Sequence, residues 1–128
     1  MADTHLVDTS ILIDFLRGNQ AAKIWLDGFS PGELVISVIT AAEIVTGCRN
    51  LREQKQVEKE LALYPMVLVS GPISETAWEW YRQYRLSQGV GFLDCLIGAS
   101  AYHTGLIVCT LNEKHFRPFP DLRVERPY

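Results

Sequence analysis

The chain has 128 residues, 48% of them hydrophobic and 21% charged, with a net charge of −3. That length and apolar content predict a single domain over 1–128 with a sizeable core, and they exclude wholesale disorder. The acidic balance excludes a protein that coats nucleic acid with a generally basic surface, so any nucleic-acid contact is local or helped by metal ions.

The predicted elements alternate. "THLV" reads as a first strand. "TSILIDFLRG" follows as a helix, with Ile11, Leu12, Phe15 and Leu16 at helical spacing and Gly18 as a stop. "AAKIWLDGF" is a second short helix, closed by "SPGE". "LVISV" is a β-branched second strand, and "TAAEIVTGC" starts a third helix. The charged stretch "NLREQKQVEKELALY" continues that helix or forms a partner to it, and Pro65 ends the region. "MVLVS" is a third strand. "PISETAWEWYRQYRLSQG" is a helix with Pro72 near its start, and "FLDCLIGASAYHTG" is another with Gly105 as its stop. "LIVCT" is a fourth strand, "LNEKHF" a loop or short helical turn, and "LRVERP" a small last strand.

Strands alternating with helices predict an α/β fold, a mostly parallel central sheet of four to five strands covered on both faces. Ligands of such sheets bind beyond the carboxyl ends of the strands, where the strand order reverses. Asp8, Glu43 and Asn112 all fall at that edge. Asp94 joins them if its helix starts on the same side, as a helix running back to a parallel strand must. Glu43 sits among small and apolar neighbours in "VISVITAAEIV", and Asp94 borders a segment that reads as buried. Gathering unpaired carboxylates costs several kcal/mol each. Hard oxygen ligands that converge suit Mg²⁺ or Mn²⁺.

Plainer roles compete for the same residues. Asp8 reads equally as the cap of the helix it precedes, and Asp94 as an acid favoured by a helix dipole. Thr9 and Ser10 read as caps, with a hydroxyl contact to water or phosphate as the alternative. Asp14 reads as solvated, and Asp27, Glu33, Asp121 and Glu125 fall in turns or at exposed ends. Cys48, Cys95 and Cys109 are widely spaced with no C-x-x-C, which excludes a disulfide framework and a zinc knuckle. Cys95 and Cys109 lie in apolar runs and read as buried thiols. The three histidines are isolated along the chain and give no zinc signature. Trp78, Tyr81 and Tyr84 share one helical stripe, read as core packing or a dimer face. No apolar run is long enough to span a membrane. The N-terminus, with Asp3, lacks a basic region followed by an apolar one, so cytoplasmic localisation is the expectation.

Four stretches in order, "LVDTSILIDFLRG", "ISVITAAEIVTG", "GFLDCLIGASAYHTG" and "LIVCTLNEKHF", resemble the four motifs of PIN-domain ribonucleases. Within that family they are most similar to VapC-type toxins of toxin–antitoxin pairs, and the resemblance runs nearly end to end. It implies a three-layer α/β/α PIN-like fold in which Asp8, Glu43 and Asp94 surround one or two divalent cations, Mg²⁺ with Mn²⁺ as the other candidate. Thr110 and Asn112 match the threonine and asparagine of the last motif. Many relatives place a further aspartate at the position of Asn112 or of His115. This chain has neither, so the resemblance supports a first metal and leaves the second open.

The implied function is metal-dependent endoribonuclease cleavage of RNA by the toxin of a type II pair. The implied partners are RNA, a VapB-like antitoxin that covers the active site, and a second copy of the chain. A catalytically silent RNA- or partner-binding module on the same fold is the alternative. Lys114, His115, Arg117, Arg82, Arg85, Arg49 and Arg52 are candidate rim contacts, each of which reads equally as part of a solvated face. A phosphoacceptor domain of the response-regulator type is excluded, because the third strand ends "LVSGP" without an aspartate.

Overall fold

Strand alternation in three short apolar runs organises the molecule. In the computed structural model, which describes residues 4–128, β1 spans His5–Val7, β2 Leu34–Ser37 and β4 Ile107–Cys109. They are joined by β3 (Met66–Val67) and β5 (Val124–Glu125) in one parallel sheet of order β3-β2-β1-β4-β5. Successive side chains point to opposite faces. Leu6, Val35 and Val108 therefore enter one apolar cluster, while Val7, Ile36 and Cys109 enter the other. The result is the expected three-layer arrangement.

Helices α1 (Thr9–Leu16), α2 (Gln20–Asp27), α3 (Val38–Thr46) and α4 (Leu51–Leu61) contribute mainly to the cluster around Val7 and Ile36. Helices α5 (Gly71–Gln88) and α6 (Phe92–Thr104) build the opposite layer. Among the described residues, no helix is long and apolar enough to cross a membrane.

Local chemistry sets the boundaries. The charged stretch after Gly47 is a separate helix because Asn50 starts a new one, its Oδ1 accepting from the Glu53 amide at 2.9 Å. Val38, read as the end of a strand, opens α3, since the Ser37 hydroxyl accepts from the Ile39 amide and caps the helix there. The third strand is shorter than "MVLVS" predicts. It is an edge strand, paired among the described residues with β2 alone, and Leu68 beyond it is 66% exposed. "LNEKHF" contains a 3-10 turn over Glu113–His115.

The aromatic stripe is shifted from the sequence reading. α5 buries Ile73, Ala77 and Trp80, whereas Trp78 lies on the outer side with the Arg82 guanidinium over its ring. Tyr81 and Tyr84 are partly buried at the margin of the same cluster. Trp80 stacks on Phe119 at 4.5 Å. Phe119 in turn lies against α6 at Gly98, where an added Cβ would stand 2.9 Å from the ring. This packing, with Phe116 fully buried beside it, anchors the 3-10 turn that carries His115.

The sheet order makes the functional edge predictable. The chain builds outward from β1 to β2 and β3, then returns to the other side of β1 with β4 and β5. The order reverses between β1 and β4, and the crevice lies beyond their carboxyl ends.

Candidate active site

Asp8 stands where β1 ends, at that reversal. Its amide donates to the Cys109 carbonyl at 2.9 Å, which extends the β1–β4 ladder by one bond. Its backbone occupies the cap position of α1, yet its carboxylate accepts no amide hydrogen bond from the helix. Instead two hydroxyls converge on Oδ2, from Thr110 at 2.7 Å and Ser10 at 3.0 Å. Asp8 is only 4% exposed and Thr110 is fully buried. The carboxylate is thus buried and clamped by hydroxyls, with its second oxygen free of these bonds, and it does not cap α1 through its side chain.

The hydroxyls expected to cap α1 serve the acids. Ser10 bridges, donating to Asp8 and accepting from the Leu111 amide at 3.2 Å. Thr9 donates to Glu43 Oε1 at 2.7 Å, with Thr40 Oγ1 3.1 Å away. Thr110 also accepts from the Asn112 amide at 2.9 Å. One turn of α1 thus holds the acid of β1 through Ser10 and the acid of α3 through Thr9.

Asp94 lies in the first turn of α6, whose start faces the same edge. Burial, then the charge of Asp8, then that of Glu43 hold its carboxyl above the ordinary aspartate range, and His115 opposes them. The three acids thus share one electrostatic neighbourhood. His115 Nδ1 sits 3.1 Å from Asp94 Oδ2. Among the described residues, this histidine is the one basic side chain in ion-pair contact with any of the three carboxylates.

Asn112 reaches the same edge with its backbone, but its side chain is exposed and makes no hydrogen bond to the acids among the described residues. It lines a shallow depression with Lys114, Arg117 and Arg126. Arg126, which carried no signal in the sequence, is held by a bond to the Leu111 carbonyl at 2.9 Å. Asp14, expected to be solvated, accepts from the Tyr128 hydroxyl at 3.0 Å, which ties the last residue to α1. Of the remaining rim candidates, Arg49 is engaged with Glu53 at 2.7 Å.

The donor set fits a hard divalent cation. It consists of carboxylate oxygens, it concentrates negative charge in a half-buried place, and neither lysine nor arginine balances it among the described residues. A tightly closed, all-protein cage is not what is built. Mg²⁺ characteristically keeps several waters and takes only one or two carboxylates directly, which agrees with this looser arrangement.

The match to known proteins falls on the same elements. The family model for the PIN domain matches residues 5–120. The chain belongs to the PIN-domain family. It is similar to ribonuclease VapC10 of Mycobacterium tuberculosis, 38% identical over 120 residues that cover 92% of this chain and 90% of the relative. It is 32% identical to ribonuclease VapC19 of the same organism, over 92% of this chain and 96% of the relative. Among solved structures, a toxin–antitoxin complex from Klebsiella pneumoniae superposes with a TM-score of 0.82 at 29% identity, covering 98% of each chain.

Proposed function

We propose that the chain is a VapC-type endoribonuclease, the toxin of a type II toxin–antitoxin pair, dependent on Mg²⁺ or Mn²⁺ and acting in the cytoplasm. The observation that carries this reading is the trio Asp8, Glu43 and Asp94, brought together at the sheet reversal with no lysine or arginine paired to it among the described residues. The ribonuclease relatives, at 38% and 32% identity, support the choice of RNA.

The three carboxylates would hold the ion. A divalent cation bound there acidifies a water and offsets the charge that builds on a phosphoryl oxygen during hydrolysis. The protein's own contributions can be assigned to atoms. Thr110 and Ser10 fix Asp8 through Oδ2, and Thr9 fixes Glu43 through Oε1, so neither acid must be ordered when substrate arrives. His115 steadies Asp94. Lys114, Arg117 and Arg126 supply positive charge beside Asn112, where an RNA backbone would approach an otherwise acidic site.

A VapB-like antitoxin is the expected partner. A groove between α1 and the α3–α4 pair runs from Leu16 and Val57 to Glu43, with Arg17 and Arg49 along it. A bound segment there would reach the edge of the site. Exposed Trp78, Phe92 and Leu93 give a second copy of the chain an apolar surface to pair with, and the mass in solution by light scattering checks that pairing.

The test is cleavage of structured and unstructured RNAs by the purified chain with Mg²⁺, with Mn²⁺ and with EDTA, beside Asp8→Asn. Cleavage that needs metal and is lost in the variant is the expected result. No cleavage together with no calorimetric binding of Mg²⁺ or Mn²⁺ would overturn it and favour a catalytically silent module.

A further inference from the structure

A second cluster of ligand-type side chains lies across the sheet, away from the three acids. Register places it. Val7, Cys109 and Glu125 stand side by side on β1, β4 and β5, so their side chains share a face, and His5, two residues before Val7, shares it too. A ring nitrogen of His5, Cys109 Sγ and a Glu125 carboxylate oxygen all fall within 4.8 Å of one another, the one such trio of His, Cys, Asp or Glu among the described residues. His5 and Cys109, far apart along the chain, are therefore neighbours in space.

We propose that His5, Cys109 and Glu125 form a binding site for Zn²⁺ or a similarly soft divalent ion, distinct from the carboxylate site. The donors are an imidazole nitrogen, a sulfur and a carboxylate oxygen, a set that selects Zn²⁺ over Mg²⁺. Three protein ligands leave one position for water, the usual count for an open zinc site. With Zn–N about 2.0 Å and Zn–S about 2.3 Å, ligand atoms around a tetrahedral ion stand roughly 3.3–3.6 Å apart. His5 Nε2 and Glu125 Oε2 are already 3.7 Å apart.

The imidazole is oriented for the task. Its Nδ1 is 2.6 Å from the Thr4 hydroxyl and its ring packs edge-on against Phe29, which leaves Nε2 facing Glu125. Such an outer hydrogen bond is what fixes the tautomer and angle of a ligating histidine. Cys109 is fully buried, whereas the Glu125 side chain is 55% exposed. An ion would thus enter from the glutamate side and close onto the thiol. Burial and the Glu125 charge push that thiol up to about 12, so it is unreactive until a cation displaces its proton. An occupied site would tie three strands together directly behind Asp8 and Thr110, which follow Val7 and Cys109 in the chain.

Titration with Co²⁺, followed by absorption, tests the proposal, because sulfur–cobalt charge transfer appears only when a thiolate is a ligand. One equivalent per chain is expected. The band should be lost in Cys109→Ser, retained in Cys48→Ser, and reached only at tenfold or more higher Co²⁺ in Glu125→Gln and His5→Gln. It should be unchanged in Asp8→Asn and Asp94→Asn, which places the ion outside the carboxylate site. Glu125 is exposed, so Glu125→Gln keeps the test valid even if Cys109→Ser folds poorly. Absence of any thiolate band at millimolar Co²⁺, or a band indifferent to both Glu125→Gln and His5→Gln, would overturn it.

Discussion

Thr110→Val isolates the contact on which the site geometry rests. Valine matches threonine in shape, so the fully buried position stays filled and the change is the loss of one hydroxyl. That hydroxyl donates to Asp8 Oδ2 at 2.7 Å and accepts from the Asn112 amide at 2.9 Å. A hydrogen bond to a charged group contributes about 1.5–3 kcal/mol, and an amide left short of a partner adds about 1 kcal/mol. Ser10 still donates to the same carboxylate oxygen, which holds the expected loss toward the lower end of their sum, about 2–3 kcal/mol. For a domain of this size that is a fall in Tm of roughly 6–15 °C. Urea unfolding in EDTA measures it, and a double-mutant cycle with Asp8→Ala assigns it. Thr110→Val should cost at least about 1 kcal/mol less once Asp8 is gone. Cleavage should fall by about tenfold or more, because Asp8 is no longer held for the ion. Additive losses in the cycle would refute the reasoning, since they would mean that the 2.7 Å contact does not couple the two side chains.

Other outcomes follow from the same geometry. Asp94→Asn should abolish RNA cleavage and raise the metal-free Tm near neutral pH. Its carboxyl binds a proton more tightly in the folded chain than in the unfolded one, mainly through burial and then through Asp8 and Glu43. The cost of its charge is therefore full above the folded titration range and fades as pH falls through it. Thermal melts in EDTA from acid to neutral pH check this, and a variant that is less stable than the parent at neutral pH would count against it. Ser10→Ala removes a donor to Asp8 and an acceptor of the Leu111 amide, so a loss of about 1–2 kcal/mol and a lower kcat at unchanged KM are expected from urea melts and steady-state cleavage. Gly98→Ala drives a methyl to 2.9 Å from the Phe119 ring. Overpacking of about 1–3 kcal/mol, reduced by up to about 1 kcal/mol of helix propensity, should leave the variant less stable in urea.

Much of this was legible without coordinates, because it depends on local rules. Alternating strands and helices fix a parallel sheet, and a parallel sheet fixes which end of each strand carries chemistry. Asp8, Glu43 and Asp94 could be nominated from that edge alone, two of them because their apolar neighbours leave a carboxylate unexplained. The burial of Cys95 and Cys109 followed from the runs that contain them.

What tertiary structure decided is which groups meet. Helix-start logic made caps of Thr9 and Ser10, since a hydroxyl at that position usually finds its own helix's amides. Packing of α1 against α3 offered Thr9 the Glu43 carboxylate instead, and Ser10, which donates to nearby Asp8, found a partner amide 101 residues away at Leu111. On α5, spacing alone could not say which aromatic faces inward, and the stacking of Trp80 on Phe119 settled it by turning Trp78 outward. Asp14 met Tyr128 across 114 residues, and His5 met Cys109 and Glu125 across three parallel strands. Periodicity along a chain determines elements and the faces they bury, because it acts over a few residues. Contacts between faces are set by sheet order and register, which follow from the packing of the whole fold.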